Sequence, residues 1–367
     1  MKKKWLLLTL VVCSCTLFFV SGCSKEREKP KPSLPKKEKR IQSFKTNNVN
    51  FKRVIGWLSN STVLIQTSEK NTTKLYTYQL YTGKQEQIYQ TKNLVADVKI
   101  SPDKSALLIY DSANKETSTI RIIDIHSKKE MASKELKPTN NTFIWNAESP
   151  NKILLINYDQ NWGFKAFLWD YNSNLTKHIY AGSPFLTWYT DNLVLYNSKK
   201  QQEDEGDLYL QDIRDTSIKN LIAENVLEFA SNKSSLVTIS NFSDDKRLLY
   251  DFKNIGFETL SEYKPPRTYD EAGSFVPYFD INFTSDLFLT FTPYENGKMK
   301  NGLEEYQLVQ VDPKTGKHRK LLDLMDNAPL LSNEDKHLVL YGYDYGKVID
   351  LKTNKVYQIL EKDSDKF

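Results

Sequence analysis

Cysteine is nearly absent, and where it occurs it is badly placed for chemistry. The 367-residue chain has three, Cys13, Cys15 and Cys23. Every later residue belongs to a thiol-free stretch in which a disulfide, a thiolate metal site and a cysteine nucleophile are excluded. Histidine is also scarce. The four, His126, His178, His318 and His337, are scattered along the chain, whereas a catalytic or metal cluster needs groups that converge within a few ångströms. A Gly-x-Ser-x-Gly elbow, a glycine-rich phosphate loop and a His-Glu-x-x-His pair are missing too, and these are the local signatures of hydrolase, nucleotide and zinc-protease chemistry. No helical periodicity extends beyond a few turns, which argues against a bundle. No cofactor and no metal is therefore expected. Asp270, Glu271 and the Glu-Asp-Glu-Gly-Asp run at 203–207 offer oxygens of the kind calcium takes, but without a spaced ligand pattern they read as solvated acidity.

The N-terminus is the most legible part of the chain. Lys2, Lys3 and Lys4 precede an apolar stretch from Trp5 to Val20, the plan of an export signal and short for a permanent transmembrane helix. Val20, Ser21, Gly22 and Cys23 then resemble the lipobox of bacterial lipoproteins: an aliphatic residue, two small residues and Cys. That resemblance implies cleavage before Cys23 and a diacylglyceryl group on its thiol. The lipid would hold the protein on the extracytoplasmic face of the cell membrane, and two acyl chains suffice for stable anchoring. Residues 1–22 are thus the signal, and 23–40 are the lipidated Cys and a Lys/Pro-rich tether. The tether has almost no apolar residues, and Pro30, Pro32 and Pro35 keep it extended. At about 3.1 Å per residue it reaches roughly 50 Å.

Charge divides along the same boundary. The whole chain carries +5, but removing the three signal lysines leaves 48 basic against 46 acidic residues, and Ser24 to Arg40 alone holds eight basic residues and three Glu. Residues 41–367 therefore sum to −3. They lack both the net charge and the clustered basic stripe that nucleic-acid binding requires, and no nucleic-acid partner is expected.

From residue 41 onward the chain repeats itself. QVDPKTGKHRKLL at 310–322 and KVIDLKTNKVYQIL at 347–360 are one phrase written twice: an apolar pair, an Asp, a short basic turn and an apolar run. The Asp position recurs at Asp350, Asp312, Asp251, Asp212, Asp170 and Asp124, with Gln79 as a degenerate first copy, and the intervals from the N-terminal side are 45, 46, 42, 39, 61 and 38 residues. Its carboxylate is suited to accept the N–H groups that follow it and so start a tight turn. A second phrase, a polar turn followed by an apolar run, precedes each copy, as in WLSNSTVLIQT at 57–67 and FTSDLFLTFTP at 283–293. Each unit reads as strand, turn, strand, loop, strand, turn, strand. The prediction for 41–367 is an all-β β-propeller of four-stranded blades, seven by repeat count. Trp57, Trp145, Trp188, Phe229 and Phe283 are expected to pack between blades.

The lipobox, the Lys/Pro tether and the degenerate repeats together resemble the YqgU-like propeller lipoproteins of Bacillus-type bacteria. That resemblance implies six blades, which stands beside seven as the alternative. It brings no catalytic residues, because no activity is established for the family.

Loop length assigns the faces. In a propeller the Asp turns share one face, and the second-to-third-strand loops share the other with the blade connections. The insertions nearly all fall on the second face: DQNWGFK from Asp159, SKKQQEDEGD from Ser198, EYKPPRTYDEAGSFVPYFD from Glu262 and PYENGKMKNGLEE from Pro293. Long loops on a rigid scaffold commonly carry binding, and aromatic residues are enriched at interface centres. Trp162, Tyr269, Phe275, Tyr278, Phe279 and Tyr294 are the candidate contact residues, although several are expected to fold inward against their own loops. The reading favoured over an enzyme is a membrane-anchored propeller that binds or assembles an envelope protein or polymer. Two alternatives remain open: a carboxylate-dependent hydrolase or lyase on cell-wall glycan, and a solute-sensing domain, which would need a deep apolar pocket.

Overall fold

In each repeat the second strand is the most apolar, and it is the one that both neighbouring sheets cover. Thr62–Glu69, Ala106–Ser112, Lys152–Tyr158, Leu193–Asn197 and Leu287–Pro293 are buried over most of their length. Third strands alternate between buried and half-exposed residues, as in Ser118–Asp124. Outermost strands such as Glu130–Leu136 and Leu175–Ile179 are largely exposed and carry Lys, Glu and Thr. Continuous burial calls for a continuous apolar run, half-burial for alternation, and a free edge for charge that discourages pairing with other chains.

The computed structural model describes residues 40–45, 50–137, 139–199, 203–215, 217–232, 235–244, 246–270, 273–282, 287–294 and 305–360. The signal, Cys23 and the tether as far as Lys39 lie outside the described residues. The described residues form strands, turns and connecting loops without a helix, so none of them makes a helix long and apolar enough to cross a membrane.

Strand pairing is antiparallel throughout the sheets. Asn50–Ser59, Thr62–Glu69, Thr72–Gln79 and Gln85–Thr91 make the first four-stranded sheet, and four more of that size lie within 94–136, 141–179, 279–325 and 330–358. Between the third and the last two stands a seven-stranded sheet over 186–263. The described residues thus give six large sheets, the alternative count, and not seven separate ones. The reason lies in one strand of 14 residues, Lys219–Asn232. Its first half pairs with Gly206–Asp212 and its second half with Ser235–Asn241. Two successive repeats therefore join in one sheet where the sequence pattern suggests a break. A small hairpin, Thr268–Asp270 with Gly273–Phe275, lies in the longest insertion.

The core lies between sheets. Leu64, Leu75 and Ile88 of the first sheet meet Val98, Leu107 and Ile109 of the second, and comparable clusters continue around to the last sheet, where Leu338, Leu340 and Val348 meet Val54, Trp57 and Val63 of the first. The ring is closed. Phe44 seals the joint: its N–H bonds Ile359 O at 2.5 Å, and its ring meets Tyr78 edge-on at 5.3 Å. Trp57 and Trp188 pack between sheets as expected, and each indole N–H crosses a joint, Trp57 to Leu331 O at 2.8 Å and Trp188 to Ile144 O at 3.0 Å. Trp145 and Phe229 are partly buried against the same clusters. Phe283 lies outside the described residues.

The turn residues perform the expected task at six positions. Gln79 accepts from Tyr81 N and Thr82 N, Asp124 from Ser127 N, Asp170 from Asn172 N, Asp212 from Arg214 N, Asp312 from Lys314 N and Asp350 from Lys352 N. Asp251 does not. It sits within the strand Leu248–Asn254 and pairs with Lys253. The turn there belongs to Asn254, whose side-chain oxygen accepts from Gly256 N at 2.9 Å and Glu258 N at 3.0 Å, because an Asn carbonyl oxygen meets the same geometric need as a carboxylate.

Candidate functional site

Opposite the Asp turns, three cavities lie side by side. The largest, about 660 Å³, is bordered by Ser112 and Ser118 of the second sheet's loop, the connection through Thr139, Asn140 and Asn141, and the third sheet's loop at Tyr158, Asp159 and Gln160. Tyr158 also borders the next cavity, about 340 Å³, which adds Trp162, Phe164, Gly182, Phe185 and Lys199. Lys199 in turn borders the third, about 460 Å³, with Leu227, Glu228, Phe275, Tyr278 and Phe279. Shared walls at Tyr158 and Lys199 make one groove across the loop side of the second to fifth sheets.

Local structure holds each wall. In the Asp159 loop, the carboxylate accepts from Asn161 N and Gly163 N, both at 2.8 Å. Trp162 takes a φ of 63°, a left-handed conformation that is an outlier for so bulky a residue. Its indole is 62% exposed and meets Tyr158 edge-on at 6.3 Å. A Cβ at Gly163 would fall 2.4 Å from an Asp159 carboxylate oxygen, so a side chain there would push the carboxylate off the loop's N–H groups. Gly182 is restricted likewise by the Tyr196 ring, 2.6 Å from a Cβ placed there. The connection at 139–141 is tied down by Asn141, which donates to Tyr110 OH and Thr139 O, both at 2.8 Å, and accepts from Asn157 at 2.9 Å.

Charge in the groove is mostly committed within the protein. Asp97 faces Arg53 at 3.8 Å and Lys99 at 3.5 Å. Lys199, the one cation among the described lining residues, pairs with Glu228 at 3.4 Å and stands 5.0 Å from the Phe185 ring centre. Burial, and then the neighbouring Tyr343, push the Tyr278 hydroxyl above its ordinary range. Next to it, burial raises the carboxyl of Asp280, which accepts from Ser332 N at 2.8 Å. No cluster of three or more His, Cys, Asp or Glu suited to a metal occurs among the described residues.

Trp162, Phe275, Tyr278 and Phe279 line the groove, though at different depths. Phe275 and Phe279 also pack on core clusters, with Phe279 stacked on Phe288 at 5.6 Å, while Tyr278 is 42% exposed. Tyr269 lies on the small hairpin under Arg267, and Tyr294 donates to Asp323 at 2.6 Å; neither borders the three cavities. Tyr158, Phe185, Asn140 and Lys199 also line the groove. Three of these sit in short connections or at strand ends, which loop length does not flag, and Lys199 lies in an insertion dominated by acids.

The model of a family described as a YqgU-like six-bladed β-propeller domain matches residues 79–342. An uncharacterized lipoprotein, YqgU of Bacillus subtilis (strain 168), is 22% identical over 350 residues, spanning 95% of this chain and 96% of that protein. The crystal structure of an uncharacterized protein of Listeria monocytogenes EGD-e is 43% identical, covers 90% of this chain and 100% of its own, and superposes with a TM-score of 0.85. An oligogalacturonate lyase of Vibrio parahaemolyticus, 14% identical with 81% and 88% coverage and a TM-score of 0.57, shares the fold.

Proposed function

The chain belongs to the YqgU-like six-bladed β-propeller family, and from that membership we propose that it is a lipid-anchored binding module, tethered through Cys23 to the outer face of the cell membrane. The groove presents an envelope protein or polymer with a preformed site. The single observation that carries this reading is the continuity of three cavities, joined at Tyr158 and Lys199, on the side that collects the long loops. The anchor rests on Val20, Ser21, Gly22 and Cys23 and is supported by the B. subtilis relative named a lipoprotein. A tether of seventeen residues suits a module that must reach past the headgroups.

The test is a photo-crosslinking residue at Tyr278 of the tethered protein on living cells, with the same probe at Lys314 on the Asp-turn side as control. An envelope component captured from Tyr278 and not from Lys314 is the expected result. Equal capture from both sides, or none, would count against a one-sided binding module.

A second reading draws on Glu203, Asp204 and Glu228, three carboxylates around the 460 Å³ cavity, since a hydrolase or lyase on glycan can work with acidic residues alone. It requires that the purified chain release reducing ends from cell-wall glycan, and that Glu228→Gln abolish the release.

A further inference from the structure

We infer that the groove takes an uncharged oligosaccharide over the second to fourth sheets. This rests on the binding-module reading and names its ligand class. The two cavities there adjoin at Tyr158 and have volumes of about 660 and 340 Å³, each within the range of small-molecule sites, so the pair suits an oligomer better than a single ring.

The chemistry of the walls is complementary from one end to the other. In the smaller cavity, Trp162, Phe164 and Phe185 supply an aromatic lining, and the C–H-bearing face of a pyranose packs against aromatic surface. In the larger one, Asn140, Thr142 and Gln160 line the wall, are exposed, and have no side-chain hydrogen-bond partner among the described residues. Amides and a hydroxyl supply both donors and acceptors, which is what vicinal sugar hydroxyls require.

Charge narrows the class further. A polyanion would need free cations, and among the described residues the only cation in the lining, Lys199, is committed to Glu228. A cationic ligand would meet few free carboxylates, because Asp97 is faced by Arg53 and Lys99, and Asp159 already accepts two of its own loop's N–H groups through Oδ1.

The conformation of Trp162 supports the assignment. A bulky residue held at positive φ and left largely exposed gains little for the fold, and such outliers concentrate at ligand sites.

The full chain, purified in a non-glycosidic detergent, is titrated by calorimetry and tryptophan fluorescence with four probes: a β-1,4-linked N-acetylglucosamine tetramer, cellotetraose, tetragalacturonate and tetralysine. Saturable binding of a neutral tetramer is expected, unchanged between about 50 and 500 mM salt. Trp162→Ala and Asn140→Ala should each weaken it, the first by about tenfold, while Lys314→Ala on the Asp-turn side leaves it intact. Which neutral tetramer binds distinguishes an amino-sugar polymer from a hexose polymer. Binding of the charged probes alone, no binding of either neutral tetramer, or full affinity in Trp162→Ala overturns the inference. If Tyr278 still captures an envelope component in that event, the ligand class is wrong and the binding module stands; if it does not, both fall.

Discussion

At Trp162 the backbone and the proposed binding role pull in opposite directions. Its backbone lies at a φ of 63°, in a region that costs an L-residue with a bulky side chain about 1–2 kcal/mol. The 62% exposed indole recovers little of that through burial. Asparagine tolerates the left-handed region far better. Trp162→Asn is therefore expected to raise stability by about 0.5–1 kcal/mol, read as a higher urea midpoint with an unchanged slope, while weakening ligand binding. A lower midpoint would mean that the indole's contact with Tyr158 outweighs the backbone strain. A side chain at Gly163 beside it would displace the Asp159 carboxylate from its loop.

At the scale of an element, the repeated turn governs acid sensitivity. Asp312 accepts from Lys314 N and from the Thr315 hydroxyl, both at 2.8 Å, and these bonds, with Lys314 nearby, hold its carboxyl below the usual range. Arg214 and the backbone lower Asp212 in the same way, to about 2. A depressed folded-state pKa gives stability that is present above the unfolded value near 4 and is lost as pH falls through the folded value. Asp312→Ala is expected to cost about 0.5–1 kcal/mol at neutral pH, and its deficit relative to the parent should shrink as pH drops from about 4 towards 2. Asp312→Asn should keep most of the stability at every pH, as Asn254 does in its own turn. Equal loss from both variants across the pH range would assign the effect to something other than the turn bonds. These turns are also why so much of the fold was legible. Gln79, Asp124, Asp170, Asp212, Asp312 and Asp350 mark strand ends by a local interaction that sequence displays directly. Asp251 misled because its neighbour Asn254 meets the same need with a different letter. The joined sheet at Lys219–Asn232 was hidden for a related reason: whether a strand stops between two repeats depends on tertiary pairing, and no turn residue announces it. Of the groove, only the aromatic residues of long insertions could be read. Asn140 and Phe185 come from ordinary short connections that matter only once the sheets bring them together.

For the whole molecule, the decisive joint is the one between the first and last sheets, because a ring distributes the consequences of one opening. Phe44, 2% exposed, packs with Tyr78 and Leu80 from the first sheet and with Leu338 and Leu340 from the last, and the segment is stitched to both sides by Gln42 N to Leu80 O at 2.7 Å and Phe44 N to Ile359 O at 2.5 Å. Phe44→Ala leaves a cavity at this joint, and the expected loss is about 3–5 kcal/mol. The informative measurement is hydrogen exchange and not the midpoint alone. If the joint is a closure that both sheets share, amides in Thr72–Gln79 and in Leu338–Tyr341 should lose protection together, although they are far apart in sequence. Sheets on the other side of the ring should lose less, since their own clusters are untouched. Loss confined to residues 40–45 would instead make the segment a passive cover. A shared response carries a functional corollary, because the groove spans the loop side of the second to fifth sheets, away from this seam. None of the groove's described lining residues comes from the first or the last sheet, so Phe44→Ala should loosen the joint while leaving the groove's walls in place.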